Sequence, residues 1–133
     1  MIGIVIASHT DMAENILDTV EHIIGERPPK VVTFSTGLGV EKEEIKLGLS
    51  LAIGEVDSGD GVLVLTDISG GTPSVLLAEY PDEKKIEVIT GVNLPMALEA
   101  VVSREGKTLK RLAKMAVKAG KVSIFSLKSP PMA

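Results

Sequence analysis

Two residues of this 133-residue chain stand where nucleophilic or acid–base chemistry could be done. His9 follows the apolar run Ile2-Gly3-Ile4-Val5-Ile6-Ala7 and Ser8, and it precedes a helix start at Asp11. A histidine directly after a buried strand lies at the mouth of a cleft, where the amino end of the next helix favours an anion. A neutral imidazole there can serve as nucleophile, base or ligand, or it can simply cap local backbone. Asp67 ends the run Val62-Leu63-Val64-Leu65-Thr66 in the same manner. Should the two strands be neighbours, the carboxylate can hold one ring N–H of His9, fix the tautomer and leave the other nitrogen to attack. The plainer role for Asp67 is a turn residue before Gly70-Gly71. His22 falls mid-helix with no partner in view and reads as a structural or surface residue.

The stretch Gly70-Gly71-Thr72-Pro73 offers unhindered backbone N–H groups, a hydroxyl and a proline suited to a first helical turn. Such a loop can cradle a phosphoryl group, although glycine pairs also make ordinary turns. Nucleotide motifs are missing: there is no G-x-x-x-x-G-K-[ST], and Gly37-Leu38-Gly39 lacks the third glycine of the dinucleotide fingerprint. Two histidines and no cysteine give no credible zinc site and exclude disulfides and a cysteine nucleophile. No G-x-S-x-G elbow accompanies the His–Asp pair, which argues against a small hydrolase.

The elements that must position these residues alternate strictly. Apolar β-branched runs at Ile2–Ala7, Val31–Phe34, Val62–Thr66 and Ile86–Thr90 predict strands, and a fifth strand is expected at Val122–Leu127. Helical spacing predicts helices from Asp11 to Gly25, from Glu41 to about Val56, from Pro73 to about Tyr80, from Pro95 to about Val102, and from Thr108 to Ala119, the last stopped by Gly120. The order β-α-β-α-β-α-β-α-α-β implies an α/β sandwich around a mainly parallel sheet. In such sheets ligands bind beyond the carboxyl ends of the strands. The segments there are polar or glycine-rich, whereas Lys30, Asp60 and Lys85 at the amino ends are ordinary solvated residues. One functional edge is therefore expected.

Length and composition bound the rest. A chain of 14.0 kDa is one domain's worth, and a 44% apolar content argues against disorder. Fourteen basic against eighteen acidic residues give a net charge of −4, and aromatics make up only 2%. Nucleic-acid binding needs a positive footprint and stacking rings, so that class is disfavoured. The basic stretch Lys107–Lys121 reads as one solvated helix face. No run approaches the ~20 apolar residues of a membrane span, and no signal peptide is apparent, so a cytoplasmic protein is the expectation.

Three blocks, Met1 to His9, Val62 to Pro73 and Val88 to Met96, resemble in order and spacing the mannose/sorbose-class IIA component of the bacterial phosphoenolpyruvate-dependent sugar phosphotransferase system. The resemblance covers essentially the whole chain. It implies a three-layer sandwich with strand order 2-1-3-4 and a C-terminal antiparallel strand exchanged within a homodimer. It implies one phosphocarrier domain over residues 1–127, with 128–133 a flexible tail. It further implies that His9 takes a phosphoryl group from the phosphocarrier HPr and passes it to a IIB component, which serves the membrane IIC and IID components. In that scheme Asp67 orients His9, and Gly70, Gly71 and Thr72 hold the phosphoryl group. Thr10, Ser35, Gly37, Ser69 and Asn93 form the docking rim, and no cofactor or metal is needed. The chain departs from the family pattern at Thr10, where glycine is common, at Ser69, and at Ser74-Val75. The alternative reading is a regulatory module of the same fold, phosphorylated as a signal to a partner protein.

Overall fold

The computed structural model describes residues 1–37, 39–67, 78–82 and 85–131. Four strands, β1 (Gly3–His9), β2 (Val31–Thr36), β3 (Val62–Thr66) and β4 (Ile86–Ile89), form one parallel sheet in the order β2-β1-β3-β4. Four helices are described: α1 (Met12–Ile24), α2 (Lys42–Val56), α3 (Leu94–Ser103) and α4 (Leu109–Val122). The fold class and strand order are those expected from the sequence. The helix expected from Pro73 lies largely outside the described residues.

β1 and β3 are buried along almost their whole lengths because both sheet faces are covered. Successive side chains point to opposite faces, so each strand feeds two cores. Ile4 and Ile6 join Leu63 and Leu65 beneath α1, α3 and α4, through Leu17, Val20, Ala100, Leu112 and Ala116. Val5 and Ala7 join Val62 and Val64 on the other face, under Leu49, Ile53 and Val56 of α2. On that face helix and sheet approach closely at Gly3 and at Gly48, which packs on Phe34. A Cβ on Gly3 would lie 2.3 Å from the Val56 carbonyl oxygen, so only glycine fits there.

Helix ends explain where the sequence reading held and where it slipped. Gly25 closes α1 in the left-handed conformation (φ 89°), its N–H donating to the Glu21 carbonyl at 2.9 Å. Gly120 does not stop α4, which continues to Val122. That glycine is buried against α3, where a Cβ would come 2.9 Å from the Met96 Cε, so it serves helix packing rather than termination. Within the single chain, residues 122–127, where a fifth strand is expected, form no strand. Val122 belongs to α4, and residues 123–131 run as turns and irregular chain. A strand needs a neighbour's ladder of N–H and C=O groups. Among the described residues, nothing pairs with the outer edge of β4.

Candidate functional site

β1 lies between β2 and β3, and the chain leaves it toward β2 through α1 while β3 pairs on its other side. This is the crevice that parallel sheets use for ligands. His9 is the last residue of β1, in register with Thr36 of β2, and Asp67 directly follows β3. The strand pairing Ala7 to Thr66 carries the two side chains to the same edge.

They meet there. The His9 Nδ1 lies 2.8 Å from Asp67 Oδ2, and the His9 backbone N–H donates to the same oxygen at 3.0 Å. A carboxylate only accepts, so Nδ1 is the donor in this contact, and in the neutral imidazole Nε2 then carries the lone pair. Among the described residues Nε2 has no partner. The Asp67 side chain is 15% exposed and that of His9 63%, so the carboxylate is sheltered while the imidazole is open to solvent.

The loop to α1 is held from several sides. Asp11 occupies the N-cap position without a side-chain bond, and Ser8 does the capping instead. The buried Ser8 Oγ accepts the Ala13 N–H at 2.7 Å from five residues upstream. A serine ending an apolar strand was a readable signal for such a cap. Thr10 donates its backbone N–H to the Thr36 carbonyl at 3.0 Å and sits at φ 50°. For a β-branched residue that left-handed geometry is an outlier, costing about 1–3 kcal/mol.

The remaining sequence candidates separate. Thr10, Ser35 and Gly37 are exposed on the same carboxyl edge as His9. Asn93 is half-buried and committed to structure: its Oδ1 caps α3 by accepting from Met96 N at 3.0 Å, and its Nδ2 donates to the Gly120 carbonyl at 3.1 Å. Gly70, Gly71, Thr72 and Ser69 lie outside the described residues. His22 is exposed in the last turn of α1. Among the described residues no group of three or more His, Cys, Asp or Glu could hold a metal ion, and no helix is long and apolar enough to cross a membrane.

The sheet's opposite edge holds a residue that the sequence did not single out. Arg104, 4% exposed, follows α3 and reaches under the amino ends of β1 and β2. Its Nη1 donates to the carbonyls of Ile2 at 3.1 Å and Lys30 at 3.3 Å, and its Nη2 donates to that of Pro29. Burial lowers its pKa from the usual arginine value.

A parallel sheet of this order places a sheltered aspartate against an exposed histidine at its switch point, and comparison with known proteins supplies the class of protein. Residues 3–117 match the EIIA-man family, described as the PTS system fructose IIA component, and the chain belongs to that family of phosphotransferase-system IIA components. It is 34% identical over 134 residues to the mannose-specific EIIAB component of Escherichia coli K12, covering 98% of this chain but 41% of that protein. The chain thus spans about two fifths of those relatives. It is 32% identical over 114 residues to the fructose-specific EIIA component of Bacillus subtilis, covering 84% of this chain and 77% of that one. The EIIA structure from Streptococcus agalactiae superposes with a TM-score of 0.83 at 32% identity, covering 96% of this chain and 98% of the other. The mannose/sorbose-specific IIA subunit from Enterococcus faecalis also gives 0.83, at 25% identity over 99% of this chain and 98% of its own.

Proposed function

We propose that this chain is a cytoplasmic phosphocarrier that accepts a phosphoryl group from phospho-HPr on His9 and passes it to a IIB component for sugar uptake through membrane IIC and IID components. Family membership supports a role in sugar phosphotransfer. The observation that carries the site assignment is the 2.8 Å contact of His9 Nδ1 with Asp67, which leaves Nε2 as the ring nitrogen that Asp67 does not engage.

The transfer follows from that geometry. The Nε2 lone pair attacks phosphorus in line as the donor's P–N bond breaks, its electron pair returning to the donor ring. His9 then bears phosphorus on Nε2 and a proton on Nδ1. Asp67 faces the imidazolium charge that develops and stabilises it. Gly70, Gly71 and Thr72 are assigned to the phosphoryl oxygens on the strength of the sequence motif. The working domain is residues 1–127. Incubation with phosphoenolpyruvate carrying radioactive phosphorus, enzyme I and HPr should place acid-labile, base-stable label on the protein. Absence of label would overturn the reading. Label that appears but never passes to a IIB component would favour the regulatory alternative.

The working unit in this proposal is a homodimer. Ile124, 76% exposed, lines a groove of about 820 Å³ between β4 and α4, and Leu127 further along the chain is 89% exposed. An open sheet edge next to an apolar segment invites pairing, and exchange of that segment between two copies satisfies both. Light scattering should give about twice 14.0 kDa at micromolar concentration, and a mass near 14.0 kDa would exclude the dimer.

A further inference from the structure

Charge is unevenly spread over this acidic chain. Six of its fourteen basic residues lie between Lys107 and Lys121, and none of its eighteen acidic residues does. Lys110, Arg111, Lys114, Lys118 and Lys121 all belong to α4, and all are exposed. At about 100° per residue they fall within roughly a third of the helix circumference, opposite the buried Leu109, Leu112 and Ala116. The stripe is about 16 Å long. Charges on the other helices are answered. Arg27 reaches Asp18 and Glu21 of α1 at 3.3 and 3.1 Å, and Lys46 of α2 pairs with Glu79 at 3.0 Å. Among the described residues no α4 cation forms an ion pair, and Glu87 of β4, which lines the adjoining groove, forms none with them. Lys110, Lys114 and Lys118 repeat at four-residue intervals, so the row repels itself in the isolated chain.

We propose that α4 docks this protein on a bilayer surface rich in anionic phospholipid, through the ammonium groups of Lys110, Lys114, Lys118 and Lys121 and the guanidinium of Arg111. An anionic surface laid against the stripe relieves its self-repulsion. Clusters of about four to eight basic residues on one helix bind anionic headgroups, at about fivefold in affinity per residue. Four of these five cations are lysines, point charges on flexible stems that suit a fluid layer of headgroups, whereas arginine forks suit a fixed carboxylate or phosphate. With 2% aromatics the chain lacks the rings that stack nucleic-acid bases. The lysine stems line the groove to which the exchanged segment is assigned, and their ammonium groups stay in water. α4 starts beside Asp60 and ends beside Asn93, so it runs along the strands, and its flank is distinct from the edge that carries His9. Docking on that flank leaves His9 open to partner proteins. The proposal does not depend on His9 being the carrier.

The test is cosedimentation of the full chain with vesicles of phosphatidylcholine alone or mixed with phosphatidylglycerol, at about 0.05 M and about 0.5 M salt. Binding is expected to the mixed vesicles only, and high salt should abolish it. The triple variant Lys110→Gln/Lys114→Gln/Lys118→Gln should bind at least about tenfold more weakly. The same three positions changed to arginine should keep wild-type binding. Lys30→Gln/Lys42→Gln/Lys85→Gln removes as many charges elsewhere and should stay within a few-fold of wild type. No binding to mixed vesicles at low salt, or equal binding to phosphatidylcholine alone, would overturn the proposal. So would equal losses in the two glutamine variants, which would reduce the effect to net charge. Retention on polyglutamate or RNA with none on vesicles would overturn it in favour of an acidic protein or a nucleic acid. These outcomes stand whether or not the protein takes label from phospho-HPr, so failure here and failure of the phosphocarrier reading are separable.

Discussion

At the carboxyl end of the sheet, His9 stands 63% exposed on a strand end, held by a single carboxylate oxygen and followed by a strained threonine. At the amino end, Arg104 is 4% exposed and spends its guanidinium on three backbone carbonyls that no side chain could replace one for one. Both ends hold a cationic or proton-carrying side chain against oxygen acceptors. They differ in what is left over. The histidine keeps one nitrogen for an incoming group. Every acceptor of the arginine is fixed backbone, so it joins β1, β2 and the end of α3. Exposure and an unspent atom mark the edge proposed to react. Burial and full commitment mark the edge that holds.

The comparison can be broken or sharpened by substitution. The largest effect is expected for His9→Ala, which should abolish acceptance of the phosphoryl group while changing stability by no more than about 0.5 kcal/mol, as for an exposed residue. His22→Ala should change neither. Acid-labile phosphate persisting on the His9→Ala protein would move the reactive position elsewhere. Next, Asp67→Asn should slow transfer by roughly 10²–10³-fold with the fold retained. An amide can donate where the carboxylate accepts, and it then favours the wrong tautomer. The same change costs ~10⁴ in the buried pair of a serine protease, and the His9 ring is more open to water. An unchanged transfer rate would reduce Asp67 to a turn residue. The smallest effect on activity and the largest on stability should come from Arg104→Met, which strands buried carbonyls and should cost about 2–4 kcal/mol in chemical denaturation. Transfer by the folded fraction should keep its wild-type rate. A slowed rate at full folding would show that the two ends of the sheet are coupled.

Much of this was legible from residue types alone. Apolar β-branched runs gave β1 to β4, and helical spacing gave the four described helices, with Gly25 closing α1 in the left-handed conformation. His9 and Asp67 stood out because each ends an apolar strand, and the structure joins them. Misreadings came where a residue's local meaning was overridden by packing. Gly120 looked like a stop signal but is small because Met96 lies against it. Asp11 looked like the cap, yet Ser8 reaches it first. Asn93, expected on the docking rim, also links the start of α3 to the end of α4, which nothing in its sequence neighbourhood announced.

The sequence by itself determined the chemistry available: one imidazole and one carboxylate at strand ends, glycine-rich connections, no thiol, and a core large enough for a single domain. Hydrophobic period is a local property, so it can be read without knowing what packs against what. Tertiary structure decided the pairing. His9 and Asp67 are 58 residues apart, and only the adjacency of β1 and β3 brings them to 2.8 Å. Arg104 is 102 residues from Ile2, so nothing local announces its clamp. A buried arginine reads on paper like any charged helix end, because the acceptors that justify it are carbonyls common to every residue. The residue segment after Val122 shows the same rule from the other side: its apolar pattern asks for a strand, and a strand exists only where a neighbouring ladder receives it.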